Sequence, residues 1–212
     1  MKITIIYDNT SLRDDLQPDW GFAALIEAHG KRILFDTGGN GEILLNNMKS
    51  LQIDPNSISD VYISHCHFDH IGGLSHFLNE NRDVVLHAPV SFRGVRNAKK
   101  VIYYDKPQEF IKHFFTTGEM ENIEQTMAIE TDKGLIIVAG CSHPIMSKTL
   151  ETLANFGNIY GIIGGLHGFD KYPLFRDFIM ICPTHCTQHI TEIKNQFSDK
   201  YIEGGAGKII EI

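Results

Sequence analysis

Short apolar runs rich in β-branched residues, each bounded by Gly, Asn, Asp or Ser, dominate the pattern along this chain and predict strands. Residues 2–8, 22–28 and 31–35 read as three strands, the last two joined by a tight turn at His29-Gly30. The third, ending Ile33-Leu34-Phe35, runs into a flexible turn at Asp36-Thr37-Gly38-Gly39. Helical spacing follows: Asn40 is placed to cap a helix whose positions Ile43, Leu44, Asn47, Met48 and Leu51 fall near one face. A strand over 60–64, a short helix from about 70 to 79 and a strand at Val84-Val85-Leu86 come next. From 89 to 120 the pattern is irregular. That stretch is expected to be loop, carrying Arg93, Arg96, Lys99 and Lys100, and loops of this kind often wall a substrate site.

The second half partly repeats the first. Strands near 126–131 and 135–139 lead into Gly140-Cys141-Ser142-His143, and a helix near 145–156 stops at Gly157. A strand over 159–163 ends at Gly164-Gly165-Leu166-His167. Another, over 178–182, ends at Pro183-Thr184-His185-Cys186-Thr187 and is followed by a helix to about 197. Gly204-Gly205-Ala206-Gly207 precedes a strand rather than a helix, so it reads as a turn and not as a phosphate cradle. Three times a strand ends in a histidine. Ligand-bearing loops gather at strand C-termini in α/β sheets, which puts these histidines on one rim.

The strand over 60–64 delivers His65-Cys66-His67-Phe68-Asp69-His70. Three imidazoles and a carboxylate make a poor core, since each costs roughly 1–3 kcal/mol if buried without partners. They make a good metal site. On an extended chain residues i and i+2 point the same way, so His65 and His67 can converge on one cation. Asp69 and His70 turn away as Ile71-Gly72-Gly73 begins a new element, and are placed for a second. Imidazole with carboxylate suits zinc, iron or manganese, and a pair of such ions is a hydrolytic arrangement. Two divalent ions, zinc first, are the expected cofactors.

Composition narrows the class. The chain has 212 residues, 42% hydrophobic and 21% charged, which fits one domain over 1–212 with a sizeable core. A net charge of −7 argues mildly against non-specific nucleic-acid or anionic-membrane binding and leaves a small-molecule substrate as the expected partner. No stretch approaches the roughly 18–20 apolar residues that span a membrane. The N-terminal residues read as a strand rather than a signal peptide, so the four cysteines are expected to be reduced and the protein cytoplasmic.

The strand with Asp36-Thr37-Gly38, followed by His65-x-His67-x-Asp69-His70 and Gly72-Gly73, resembles the metallo-β-lactamase superfamily. That resemblance implies an α/β (α+β) fold, a four-layer αββα sandwich with metals on one edge. Gly140-Cys141-Ser142-His143, Gly164-Gly165-Leu166-His167 and His185-Cys186-Thr187 are similar to the branch that contains the dihydropterin–aminobenzene ribofuranosyl phosphate synthases of methanopterin biosynthesis. By resemblance, His65 and His67 bind one metal, Asp69 and His70 the other, and His143 and His185 complete the set. Asp36 is expected to orient a ligand by accepting an imidazole N–H. Cys141 stands where many relatives carry a metal-bridging Asp; it either bridges as thiolate or packs beside the site. Cys66 reads as packing. Asp69 and His167 are the candidate catalytic residues, His167 because it ends a rim strand with no evident metal slot.

The chain departs from the branch in a reduced stretch between His87 and Met120, in Asp19-Trp20-Gly21, and in Glu124-Gln125. These places shape a substrate pocket. The expected activity is hydrolysis of an ester or phosphoester by metal-activated water. The alternative is a transferase joining a pterin diphosphate to an aminobenzene ribofuranosyl phosphate.

Overall fold

The computed structural model describes all 212 residues, Met1–Ile212. The first half contains β1 (Lys2–Tyr7), β2 (Ala23–Ala28), β3 (Lys31–Phe35), α1 (Gly41–Ser50), β4 (Asp60–Tyr62), α2 (Phe68–Ile71), α3 (Leu74–Glu80), β5 (Val85–Pro89) and β6 (Lys100–Tyr104). The hairpin β7 (Gln108–Ile111) and β8 (Phe114–Thr116) leads to β9 (Met127–Thr131), β10 (Gly134–Ala139) and α4 (Met146–Ala154). The chain closes with β11 (Ile159–Gly165), β12 (Met180–Thr184), α5 (Ile190–Gln196) and β13 (Ile209–Glu211). One sheet is ordered β13-β1-β2-β3-β4-β5-β6 and the other β12-β11-β10-β9-β8-β7. No helix is long and apolar enough to cross a membrane.

Alternation along the strands builds the layers. Ile33 and Phe35 of β3 and Ile136 and Val138 of β10 turn inward and meet between the sheets, with Ile3, Ala24, Tyr62, Met127, Ile163 and Cys182. The intervening Leu34 of β3 packs outward against Ile43, Leu44 and Met48 of α1 and Phe77 of α3. Leu135 and Ile137 of β10 pack outward on Met146, Leu150 and Leu153 of α4 and Ile193 of α5. Three apolar layers between two sheets and two sets of helices give the αββα sandwich.

Strand direction makes the rim. β3, β4, β5 and β6 are mutually parallel, and so are β10, β11 and β12. β1 pairs antiparallel with β2, and β2 with β3, so β1 shares the direction of β3. Residues following β1, β3, β4, β10, β11 and β12 therefore collect at the C-terminal ends of the strands.

Two expectations need correction. Residues 89–120 are not a loop: they hold β6, β7 and β8, and the longest stretch without regular structure is 90–99. The two edge strands β6 and β7 are short and half-exposed, so polar residues such as Lys100, Gln108 and Glu109 occupy their outer positions and blur the alternation. The helix expected from 70 to 79 is broken into α2 and α3 at Gly72-Gly73. A Cβ on Gly72 would lie 2.2 Å from the Gly39 carbonyl oxygen, and one on Gly73 2.2 Å from that of Thr37. The break lets the metal-motif segment dock on the turn after β3, where the Thr37 amide and hydroxyl both donate to the His70 carbonyl at 2.8 and 2.9 Å.

Candidate metal centre

The loop after β4 carries His65, His67, Asp69 and His70, and the turn after β3 holds it from below. Asp36 is completely buried at φ 52°. Its Oδ1 accepts from the Ser64 amide at 2.7 Å, and its Oδ2 from the Ser64 hydroxyl at 2.6 Å. Oδ2 lies also 2.7 Å from Nδ1 of His70. Because the Ser64 hydroxyl spends its proton on Asp36, its oxygen accepts Nδ1–H of His65 at 2.9 Å. Both rings are thereby fixed with Nε2 unprotonated and facing the rim. Burial pushes the Asp36 carboxyl up to about 7, with the His65 ring and the Ser64 hydrogen bonds drawing it down.

Six donors form two trios. In the first, His65 and His67 stand with His143, their donor atoms all within 4.8 Å of one another; His65 Nε2 is 3.1 Å from His67 Nδ1. In the second, Asp69, His70 and His185 lie within the same limit, with Asp69 Oδ2 3.2 Å from His185 Nε2 and 3.9 Å from His70 Nε2. The Nε2 atoms of His143 and His185 are buried and have no hydrogen-bond partner. Such orphaned lone pairs, turned toward other lone pairs, are satisfied by cations. Burial, reinforced by the charge each ring would place on its neighbours, lowers His65 to about 2 and His70 to about 3. Both rings are therefore held neutral, the form in which imidazole can bind a metal. Burial alone would raise Asp69, but His185 and His70 hold it below the carboxylate range.

Four residues that the sequence did not single out as site residues hold these donors. Asn9, just past β1, receives Nδ1–H of His185 at 3.0 Å and donates to the His185 carbonyl at 2.8 Å. The indole N–H of Trp20 donates to Asp69 Oδ2 at 2.8 Å, and its ring packs edge-on against His185 with centroids 5.1 Å apart. Ser64 orients His65 as described. Glu124 is fully buried; its Oε1 accepts the amides of Gly140, Cys141 and Ser142 at 3.1, 3.0 and 3.2 Å, and its Oε2 that of His143 at 2.9 Å. Of these, Trp20 and Glu124 fall in stretches visible in the sequence as departures from the branch, though with no role attached; Asn9 carries no local signal.

The loop so held brings Cys141 among the histidines, with Sγ 3.2 Å from His70 Nε2. The neighbouring Cys186 and burial push the Cys141 thiol well above its ordinary value. Gly140 packs against Ser64, and a Cβ there would lie 2.2 Å from the Ser64 hydroxyl. Cys66 is half-buried outside the donor groups, 3.6 Å from the Ser91 hydroxyl, and Cys182 lies in the core between the sheets. His167 is exposed at φ 43°, with its ring centroid 5.1 Å from that of His143 and Nδ1 3.3 Å from the Gln188 amide nitrogen. A cleft of about 350 Å³ opens beside it, lined in part by His143, Ile145, Ser147, His167, Phe169 and Lys171.

The metallo-beta-lactamase superfamily profile matches residues 18–143. A 7,8-dihydropterin-6-methyl-4-(beta-D-ribofuranosyl)-aminobenzene-5'-phosphate synthase of Methanocaldococcus jannaschii is 31% identical over 90% of this chain and 88% of its own length. The crystal structure of a metal-dependent hydrolase of the beta-lactamase superfamily matches with a TM-score of 0.81 at 24% identity, covering 100% of this chain and 99% of that one. Human short-form tRNase Z matches with a TM-score of 0.69 at 14% identity over the same shares. These two structures bear on the fold.

Proposed function

The chain belongs to the metallo-beta-lactamase superfamily, and from that premise we propose that it is a binuclear metal-dependent hydrolase of a small ester or phosphoester. The observation that carries this reading is the pair of donor trios in which His65, His70 and His185 are tied through Nδ1 to Ser64, Asp36 and Asn9, while the buried Nε2 atoms of His143 and His185 are unpartnered. His65, His67 and His143 would hold one divalent ion and Asp69, His70 and His185 the other, zinc being the first choice for such donors. Two such ions would supply Lewis acidity, activating water near neutral pH and polarising the scissile ester or phosphoester. The residues around them do the positioning. Asp36, Ser64 and Asn9 keep the imidazoles in one tautomer, Trp20 holds Asp69, and Glu124 fixes the loop bearing His143. His167, at the mouth of the cleft and outside both trios, is placed to pass a proton to the leaving group. The cleft volume is of the small-molecule class.

The likeness to the synthase favours a second reading, a transferase whose nucleophile is an organic amine or carbon in place of water. One experiment separates the two. Protein purified without a chelating tag is assayed for bound metal, then reconstituted and offered phosphomonoester, phosphodiester and thioester reporters. Near two equivalents of metal with turnover in water alone supports the hydrolase. Two metals and turnover only with a second organic substrate supports the transferase, and no bound metal before or after reconstitution refutes both.

A further inference from the structure

We infer that the cleft between α3 and residues 90–99 binds a small amphipathic anion, an aryl or short acyl body carrying one sulfonate, phosphate or carboxylate group. The site lies on the helix-covered face of the first sheet and uses no residue of the metal centre. β5 ends at Pro89, β6 starts at Lys100, and the two strands are parallel. A parallel pair needs a crossover, usually a helix about 10–12 Å across that covers the sheet. Here the crossover contains no helix. Phe92, Val95 and Ala98, spaced three apart, pack down on the apolar layer that holds Leu74 and Leu78, and all three stay partly exposed. A thin extended segment leaves open the flank of α3 that a helix would fill. The result is a cleft of about 330 Å³, within the range of small-molecule sites.

Its lining is two-natured. Leu74 and Leu78, one turn apart on α3, and Phe92 and Val95 of the crossover supply apolar surface for the body of the ligand. Arg93 and Arg96 stand exposed on the crossover lip, and Ser75 and Asn79 are exposed on the helix side. Arg93 is partly engaged, over the Tyr103 ring at 4.5 Å and 3.3 Å from the Phe92 carbonyl. Arg96 has no carboxylate to answer it. None lines the cleft, no Asp or Glu occurs between Asp83 and Asp105, and Asp83 is taken by Lys99 at 2.7 Å. Guanidinium groups beside apolar side chains recognise an anionic head on an apolar body, and Ser75 and Asn79 add hydrogen-bonding groups opposite. The chain's net charge of −7 repels long polyanions, which leaves a single small anion as the occupant that fits.

Isothermal titration of the metal-loaded protein tests this with 2-naphthalenesulfonate, whose head is a weak metal ligand. The body alone is tested with 2-naphthol and the head alone with inorganic sulfate. The sulfonate is expected to bind as one equivalent, about tenfold more tightly than either. Ser75→Glu sets a carboxylate at the cleft from an exposed helix position and should abolish binding, whereas Ser75→Gln, of the same bulk without the charge, should keep it. Arg96→Gln should weaken the sulfonate about tenfold and leave 2-naphthol unchanged. No binding of the sulfonate, equal affinity for 2-naphthol, or equal affinity in Ser75→Glu and Ser75→Gln would each overturn the inference. So would loss of binding in Lys171→Gln, which places the probe in the cleft beside His167 instead. A chain found dimeric by light scattering, and made monomeric by Ser75→Glu, would overturn it too by assigning the cleft to a second copy. None of these outcomes depends on the metal centre, so this inference and the proposed function fail separately.

Discussion

Glu124→Gln should loosen the metal site from a position that touches no metal. Its carboxylate, fully buried, accepts four consecutive backbone amides from Gly140 to His143. A hydrogen bond to a charged acceptor contributes ~1.5–3 kcal/mol, against ~1 for a neutral pair. The glutamine oxygen can replace only one carboxylate oxygen. If it takes the three donors on Oε1, each weakens by ~1 kcal/mol, and the new NH2 group confronts the His143 amide, a buried donor facing a donor that costs a further ~1–3. Relief of the buried charge offsets part of this, leaving a net loss of about 3 kcal/mol. For a chain of this size that lowers Tm by roughly 6–12 °C. The loop also carries His143 and Cys141, so metal affinity should fall about 10–100-fold, as for other residues that orient ligands. Thermal melts and metal titrations of wild type and variant test both. A Tm within about 2 °C of wild type, with unchanged metal affinity, would refute the assignment of Glu124 as the residue that fixes this loop.

Trp20 is the chain's one tryptophan, so its fluorescence reports on Asp69 and His185 directly; paramagnetic cobalt should quench it on filling the second trio, and Trp20→Phe should weaken that site about tenfold while sparing the first. Equal weakening of both sites would contradict this. Gly140→Ala forces a Cβ onto the Ser64 hydroxyl and should lower stability by about 1–3 kcal/mol in denaturant melts, with a raised metal dissociation constant. His167→Asn, chosen because Asn tolerates positive φ, should cut turnover at least tenfold with full metal content; lost metal would instead make His167 a ligand. Asp60 gives a pH test away from the metals: burial pushes its carboxyl up, but His87, Ser59 and Lys31 outweigh this and hold it below its ordinary value. Its stabilisation is therefore complete above the unfolded value near 4 and is lost as pH falls through the lower folded value. Asp60→Asn should cost about 2 kcal/mol at pH 7, with a shallower acid decline than wild type; parallel acid limbs would refute the sign.

Much of the fold was legible because its interior strands are buried on both faces and read as near-continuous runs, as in Ile136-Ile137-Val138-Ala139. Two of the four edge strands were not. β6 and β7 each leave one side to solvent and unpaired, so nothing in their composition forces a period-two pattern. The site divides similarly. His65 to His70 announce themselves because the donors are neighbours in sequence, and the superfamily resemblance supplied His143 and His185. The residues that aim them depend on contacts no local window contains. Asn9 meets His185 176 positions away, Trp20 meets Asp69 49 away, and Glu124 reaches its four amides 16 to 19 away. Nothing in the immediate neighbours of these three residues marks them for such a role. Only the strand order makes them neighbours.

Left-handed backbone at the strand ends explains how the rim can face inward at all. Asp36, Ser142, His167 and His185 sit at φ 52°, 60°, 43° and 48°, each just beyond a strand of one of the two parallel runs. An extended continuation would carry the next side chain away along the strand axis; a left-handed residue folds the chain back over the edge, at ~1–2 kcal/mol for a non-glycine. Tertiary hydrogen bonds hold the strain in place, and unequally. Asp36 is held by the Tyr62 carbonyl through its amide as well as by Ser64, Ser142 by the Gly165 carbonyl, and His185 by Asn9 on both ring and backbone. His167 is held at its backbone carbonyl by the Gln188 amide, while its exposed ring has only the 3.3 Å contact to the Gln188 side chain. Rigid donors suit coordination, whose geometry tolerates little displacement, and the loosely held ring suits proton transfer, which requires a group that can turn toward a leaving atom. The restraint pattern thus sets the ring of His167, the candidate acid, apart from that of His185, the proposed ligand, independently of distance.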